Sequence, residues 1–305
     1  MGPPRQLTVP RGERGRAVED FLRRALPGST PARVLSLLGA GAVTLNGKPV
    51  RAGRKLWGGE DFVVAGGSPA PPRRVHGPAI PVLAETPDVW LVDKPAGWSV
   101  EPEPGQVSVV ELLAWQRPGF DVGGASLPGV VHRLDRYTTG VLALARTDAG
   151  VTALQRAFEL GQVEKRYLAV VLGTPVPEGR LDTPYARDPS HARRYTTRID
   201  SPRRATLSWR VAAQHPTAAV VEITLETGRT HQVRCQFADA GFPVIGDSLY
   251  GGEAACRADA AHALGRQALH ALRLTVTAPD LQVDAQSPVP ADLQRLISRL
   301  KGEPG

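Results

Sequence analysis

Four apolar residues, Val18, Phe21, Leu22 and Leu26, recur at helical spacing in "RAVEDFLRRAL", and Gly28 stands where such a helix would stop. "TPARVLSLLGAG" predicts a second helix, with Thr30 as its cap and Pro31 at the first helical position. The period then shortens. "VTLNGKPV" predicts a small hairpin, because Asn46-Gly47 suits a two-residue turn with positive φ at both positions, and "DFVVA" predicts a closing strand. From Ala65 to Pro81, "AGGSPAPPRRVHGPAIP", Gly and Pro displace any period, which marks a linker.

Beyond it, "DVWLVDKPAGWSVEP" reads as a strand through Leu91 and Val92 followed by a Pro-Gly turn. "GVVHRLDRYTTGVLALAR" reads as strand, tight connection and strand, "TDAGVTALQRAF" as a helix, and "KRYLAVVLG" as another strand. "AAVVEITLETGRTHQVRCQFADAGFPVIGD" predicts a strand, a turn through Gly228, and a helix capped by Thr230 and stopped near Gly241. Strands and helices alternate without an even βαβ rhythm. The expected fold class is therefore α+β, a mixed, largely antiparallel sheet with helices packed on it and a small α+β module in front. The expected boundaries are 1–65 for the module, 66–81 for the linker and 82–300 for the large domain.

Composition narrows the function classes. A chain of 305 residues with 42% apolar content is expected to be soluble, with about two domains and real cores. No apolar stretch approaches the ~18 residues of a membrane span. "MGPPRQLTVPRGERGR" lacks the apolar block of a secretory leader, and Gln6 stands where a myristoylation signal needs Ser or Thr. A cytoplasmic protein without a membrane partner is expected. Two cysteines and seven scattered histidines show no metal-ligand spacing, so reduced thiols and no metal are expected. The net charge of +7 points towards a polyanion. Arginine outnumbers lysine 32 to 5, however, as composition bias alone produces, so charge by itself does not settle the partner.

Asp135 sits in "HRLDRYTTGVLAL" among a histidine, two arginines, a tyrosine and two threonines, directly before an unbroken apolar run. Asp is common in turns because its side chain bonds its own backbone, which is the plain structural alternative to a catalytic role. An aspartate is ionised near neutrality and can act as nucleophile or charge partner once positioned. Arg234, one turn into the helix after "TGRTHQ", is suited to hold a carboxylate, and Tyr167 in "KRY" can stack on a base and move a proton. Taken singly, Arg234 is equally a surface salt-bridge partner and Tyr167 a core ring.

Together, "DKPAGWSVEP", "HRLDRYTTGVLALAR", "KRYLAVV" and "TGRTHQVRCQFADAGFPVIGDSLYG", in this order and spacing, resemble the RluA-type pseudouridine synthases. The match covers nearly all of Pro81 to Pro279. The resemblance implies that Asp135 is the catalytic aspartate, Tyr167 the tyrosine that stacks on the target base, and Arg234 the arginine paired with the aspartate. It also implies that Arg133 fills the space of the flipped-out nucleotide, and it assigns His231 and Gln232 to RNA binding. The order of two short helices and a hairpin containing "LNGKPV", over about Arg11 to Ala65, resembles the S-four RNA-binding domain. Thr30-Pro31 replaces the Ser-Arg usual at its second helix, so Arg33 is expected to take over the phosphate contact. Departures in the large domain are Thr139 for a common Ser, Asp93 for Asn, and Glu101 for His.

The implied activity is isomerisation of specific uridines to pseudouridine in structured RNA by a monomer without cofactor. Large-subunit ribosomal RNA is the first expected substrate and transfer RNA the second. Breaking a carbon–nitrogen glycosidic bond and joining carbon 5 to the same sugar carbon needs no electron or group carrier. The carboxylate either attacks the anomeric carbon or takes the 2′ proton, and the residues do not choose. A non-catalytic RNA-binding protein would account for the charge and the linker but not for the joint set of Asp135, Tyr167 and Arg234. A glycosidic hydrolase would want two carboxylates flanking the bond, and no second acid stands beside the Asp135 or Arg234 motif.

Overall fold

In a computed structural model, the chain is described at residues 4–26, 34, 37–39, 41–65, 74–103, 105–117, 119–122, 127–262 and 264–300. The amino-terminal residues form a four-stranded antiparallel sheet from β1 (Arg5–Thr8), β2 (Val43–Leu45), β3 (Lys48–Pro49) and β4 (Asp61–Val64), in the order β1-β4-β2-β3. Helix α1 (Val18–Ala25) packs its apolar stripe into the core formed with this sheet, with Val18, Phe21, Leu22 and Leu26 all buried beside Phe62. Asn46 and Gly47 have φ of 51° and 74°, the left-handed pair that the β2–β3 turn needs. Residues 34 and 37–39 are helical, while Gly28, Thr30, Pro31 and Arg33 lie outside the described residues. Strand β1 has no signal in the sequence, because as an edge strand it exposes most of "RQLT".

The large domain is built on strands β5 (Val82–Glu85), β6 (Val89–Lys94), β7 (Gly129–Val130), β8 (Thr139–Ala145), β9 (Val163–Leu172) and β10 (Glu178–Pro184), with β13 (Arg204–Gln214), β14 (Ala218–Leu225), β15 (Leu269–Ala278) and β16 (Leu281–Gln286). Their order is β10-β13-β14-β9-β15-β8-β6-β5, with β16 on β15 and β7 on β8. Every pairing is antiparallel except β8 with β15. A separate ribbon joins β11 (Ala186–Arg187) to β12 (Tyr195–Thr196). The helices are α2 (Val109–Gln116), α3 (Asp148–Glu159), α4 (Gln232–Asp239), α5 (Gly252–His262) and α6 (Ala291–Leu300).

All seven residues of β8 are buried, which is why its sequence is an unbroken apolar run and not an alternating one. Its parallel contact with β15 requires Gly140. That residue has φ 110°, and a Cβ there would stand 2.1 Å from the Ala271 carbonyl oxygen.

Within the Pro- and Gly-rich stretch, Val75 and Ile80 are buried in the core that also holds Trp90 and Leu112, and the Ile80 amide donates to Gln116 Oε1 at 2.9 Å. The two apolar side chains anchor a segment whose Pro and Gly content deprives it of helix or strand. One expectation is corrected: Thr230 does not cap α4. The helix begins at Gln232 after His231, which takes φ 59° at the cap position and makes no side-chain cap bond.

Candidate active site

Asp135 lies in the loop between β7 and β8, held from both sides. The Thr138 amide donates to the Asp135 carbonyl at 3.0 Å, closing a turn. Lys94, at the end of β6 and wholly buried, donates its amine hydrogens to the carbonyls of Pro95, Arg136 and Thr138 at 2.8 to 2.9 Å. Burial pushes Lys94 down to about 7 against the upward pull of the Asp135 charge. Arg266, itself paired with Asp292, donates to the Tyr137 carbonyl at 3.3 Å. Lys94 and Arg266 therefore fix a loop that has no regular structure of its own.

Arg234 comes from the first turn of α4. Its Nη1 donates to Asp135 Oδ2 at 2.9 Å, while Nε and Nη2 donate to Asp247 Oδ2 and Oδ1 at 2.6 and 2.9 Å. Asp247 is fully buried and its Oδ1 also accepts the amides of Leu249 and Tyr250 at 2.9 and 3.0 Å. Burial alone would lower Arg234, but the hydrogen bonds and charges of Asp247 and Asp135 outweigh it and hold the guanidinium above its ordinary value. The Tyr250 ring lies 5.3 Å from the guanidinium carbon, which covers a second side of it.

His231 Nε2 stands 3.8 Å from Asp135 Oδ1, and its Nδ1 is 3.1 Å from the Tyr250 hydroxyl. Burial lowers its pKa, and the Asp135 charge offsets part of that fall. Tyr167, on β9, is half-buried; burial, with the Asp135 charge adding to it, raises its phenol above the ordinary range. Its hydroxyl has no hydrogen-bond partner among the described residues.

These side chains converge. Asp135, Tyr167, Arg234, His231 and Arg133 line one cavity of about 50 Å³. All but Arg234 also line an adjoining cleft of about 780 Å³, large enough for a nucleotide and its neighbours. Arg133 stands on the rim with its side chain 60% exposed, 3.8 Å from Glu101. Arg33 lies outside the described residues. Gln232 is buried, donating to the Thr206 carbonyl and Gln236 Oε1 and accepting from Thr227 Oγ1 and the Arg229 amide. With its amide engaged inside the protein it braces the turn before α4, at the wall of the small cavity that Asp135 and Arg234 also line.

Asp247, Tyr250 and Lys94 also belong to the site, and all three lie within the motifs "TGRTHQVRCQFADAGFPVIGDSLYG" and "DKPAGWSVEP", where the sequence alone did not single them out. An acid two residues past the apolar Val244-Ile245 was the available signal for Asp247. It is also a second carboxylate beside Arg234, but it is enclosed and bound to the guanidinium and two amides. A hydrolase's second acid would instead face the bond. Among the described residues no group of three or more His, Cys, Asp or Glu is placed to hold a metal ion, and no helix is long and apolar enough to cross a membrane.

The family model described as RNA pseudouridylate synthase matches residues 88–239. The chain is 35% identical over 314 residues to the ribosomal large subunit pseudouridine synthase D of Xanthomonas campestris pv. campestris, covering 97% of this chain and 92% of that one. It is 32% identical over 305 residues to the protein of the same name from Nitrosomonas europaea, covering 98% and 88%. Among solved structures, human RNA pseudouridylate synthase domain containing 1 superposes with a TM-score of 0.60 at 22% identity, over 76% of this chain and 99% of that one. Human RNA pseudouridylate synthase domain containing 4 gives 0.58, also at 22%, over 72% and 92%. These two likenesses concern the fold.

Proposed function

We propose, from the premise that this chain belongs to the RNA pseudouridine synthase family and is an isomerase, that its substrate is large-subunit ribosomal RNA and its catalytic group is Asp135. The substrate follows the names of the relatives that share nearly its full length. The observation that carries the catalytic assignment is the end-on contact of Arg234. It holds Asp135 Oδ2 and leaves Oδ1, the oxygen nearer His231, without an arginine.

The target uridine leaves its stack and enters the cleft, with Arg133 on the rim filling the vacated space. Asp135 acts on the sugar, either by bonding the anomeric carbon or by taking the 2′ proton. The bond from that carbon to N1 breaks, and the uracil turns within the cavity. Carbon 5 then bonds the same sugar carbon and gives up its proton, and the carboxylate returns to its starting state. Tyr167 stacks on the base and its free hydroxyl assists removal of the carbon 5 proton. The residues need no cofactor for this sequence. The enzyme acts as a monomer in the cytoplasm, with residues 1–65 as an RNA-binding domain.

Asp135→Asn tests the assignment. Asn satisfies a turn about as well as Asp, so fold and RNA affinity should persist while tritium release from carbon-5-labelled uridine RNA falls below detection. Release at even a few per cent of the wild-type rate by the variant would sink the catalytic role. Mapping pseudouridines in RNA from a strain lacking the protein tests the substrate, and an unchanged large-subunit RNA would exclude it.

A further inference from the structure

Positive charge is unevenly distributed along this chain. Residues 1–65 hold 11 Lys and Arg against 5 Asp and Glu, whereas residues 82–305 hold 24 against 25. The excess therefore lies almost wholly outside the part that contains Asp135. The same amino-terminal region presents Trp57 at 67% exposure, more than any other large apolar side chain among the described residues.

That exposure is built in. The Trp57 amide donates to Glu60 Oε2 at 2.8 Å, and Arg54 donates to Glu60 Oε1 at 2.6 Å. The preceding Leu56 is buried, its amide donating to the Arg16 carbonyl and its carbonyl accepting from Gly15 at 3.0 and 2.8 Å. Gly58 follows with φ 82°, packed so closely that a Cβ would lie 3.0 Å from Arg11 Cα. The backbone is thus fixed on both sides of an indole that faces water. The Arg14 guanidinium lies 5.9 Å from the ring centroid. Ion pairs in this region use Arg5, Arg16, Arg24 and Arg54. Arg11, Arg14 and Lys55 are exposed and have no carboxylate partner among the described residues.

We propose that Trp57, with the Arg14 guanidinium beside its ring, the Arg11 backbone packed at Gly58 and exposed Lys55 two residues before it in the chain, is a stacking platform for one unpaired RNA base and its flanking phosphates, separate from the catalytic cleft. The proposal rests on RNA being the substrate of the cleft. An indole face accepts any base, and the cations neutralise the adjoining backbone. A duplex keeps its base faces inside its own stack, so the platform selects unpaired segments.

The test uses the full chain, a short oligoadenylate, and an abasic ribose-phosphate oligomer of the same length. Oligoadenylate offers no uridine to the cleft. Trp57→Ala should weaken oligoadenylate binding about tenfold and leave the abasic oligomer unaffected, Trp57→Phe should recover most of the loss, and Arg14→Gln should weaken both. An unchanged oligoadenylate affinity in Trp57→Ala overturns the proposal, as does an equal loss on both oligomers. Polyglutamate that binds as tightly and loses as much with Trp57→Ala would reassign the surface to an acidic protein. Failure of the wild type to form pseudouridine in RNA would instead overturn the proposed function and leave the oligoadenylate result standing.

Discussion

Arg234 reaches Asp135 through a single nitrogen, Nη1 to Oδ2 at 2.9 Å, because its Nε and Nη2 are already bound side-on to Asp247. The two carboxylates are thus unequal. Asp247 sets the plane and position of the guanidinium, and the guanidinium in turn positions Asp135 without covering both of its oxygens. A side-on contact to Asp135 itself would have occupied both.

Replacing Asp247 by Asn keeps the shape and removes the charge, leaving a buried arginine with one partially exposed carboxylate. Breaking a buried pair from one side costs about 3–5 kcal/mol. Asp247→Asn should therefore lower the urea midpoint markedly and reduce turnover more than KM, since Asp247 does not line the cleft. A variant as stable and as fast as the wild type would show that Asp247 does not position Arg234.

Tyr167→Phe keeps a ring of the same width and deletes a hydroxyl that has no hydrogen-bond partner among the described residues. RNA binding should survive within a few-fold, and stability should change little, because no hydrogen bond is lost. Isomerisation should fail. Single-turnover pseudouridine formation at the wild-type rate would remove the proton-transfer role and leave stacking as the only one.

Gly140→Ala places a methyl 2.1 Å from the Ala271 carbonyl oxygen at a φ of 110°. Neither strand can move aside, because both are central in the sheet. Overpacking and backbone strain together should cost more than about 3 kcal/mol, and the loop ahead of β8 should lose its fixed end. Thermal melting reads the first effect, and activity at a temperature where the variant is still folded reads the second.

Acid should destabilise this protein through two histidines kept neutral. Burial pushes His132 from 6.5 down to about 3 and His270 down to about 4. In the unfolded chain both titrate near 6.5. Above that value their contribution is fully present. As pH falls below it the unfolded chain takes up protons that the native state refuses, so stability is lost at about 1.4 kcal/mol per pH unit for the fully buried His270. His132 Nε2 accepts the Ala143 amide at 2.9 Å, a bond that protonation breaks. Urea unfolding at about pH 7.5 and about pH 5 should show the drop, and His132→Gln should shrink it. Equal wild-type stability at the two values would contradict the account.

What could be read from the chain alone was whatever repeats locally. The stripe of α1, the Asn46-Gly47 turn and the apolar run of β8 each express a backbone period or a φ requirement within a few residues. The family likeness placed Asp135, Tyr167 and Arg234 in one site before any contact was visible. The tertiary structure alone decided how they are held. Arg234 and Asp135 are 99 residues apart, and Arg266 meets the Tyr137 carbonyl across 129. The left-handed backbone at His231 replaced the expected Thr230 cap, and the Gln232 amide is taken up by Thr206, Thr227, Arg229 and Gln236. Val75 and Ile80 made packed structure of a stretch whose Gly and Pro content reads as linker. The roles of Asp247 and Lys94 follow from the partners that the fold brings to each buried charge and not from their neighbours in sequence.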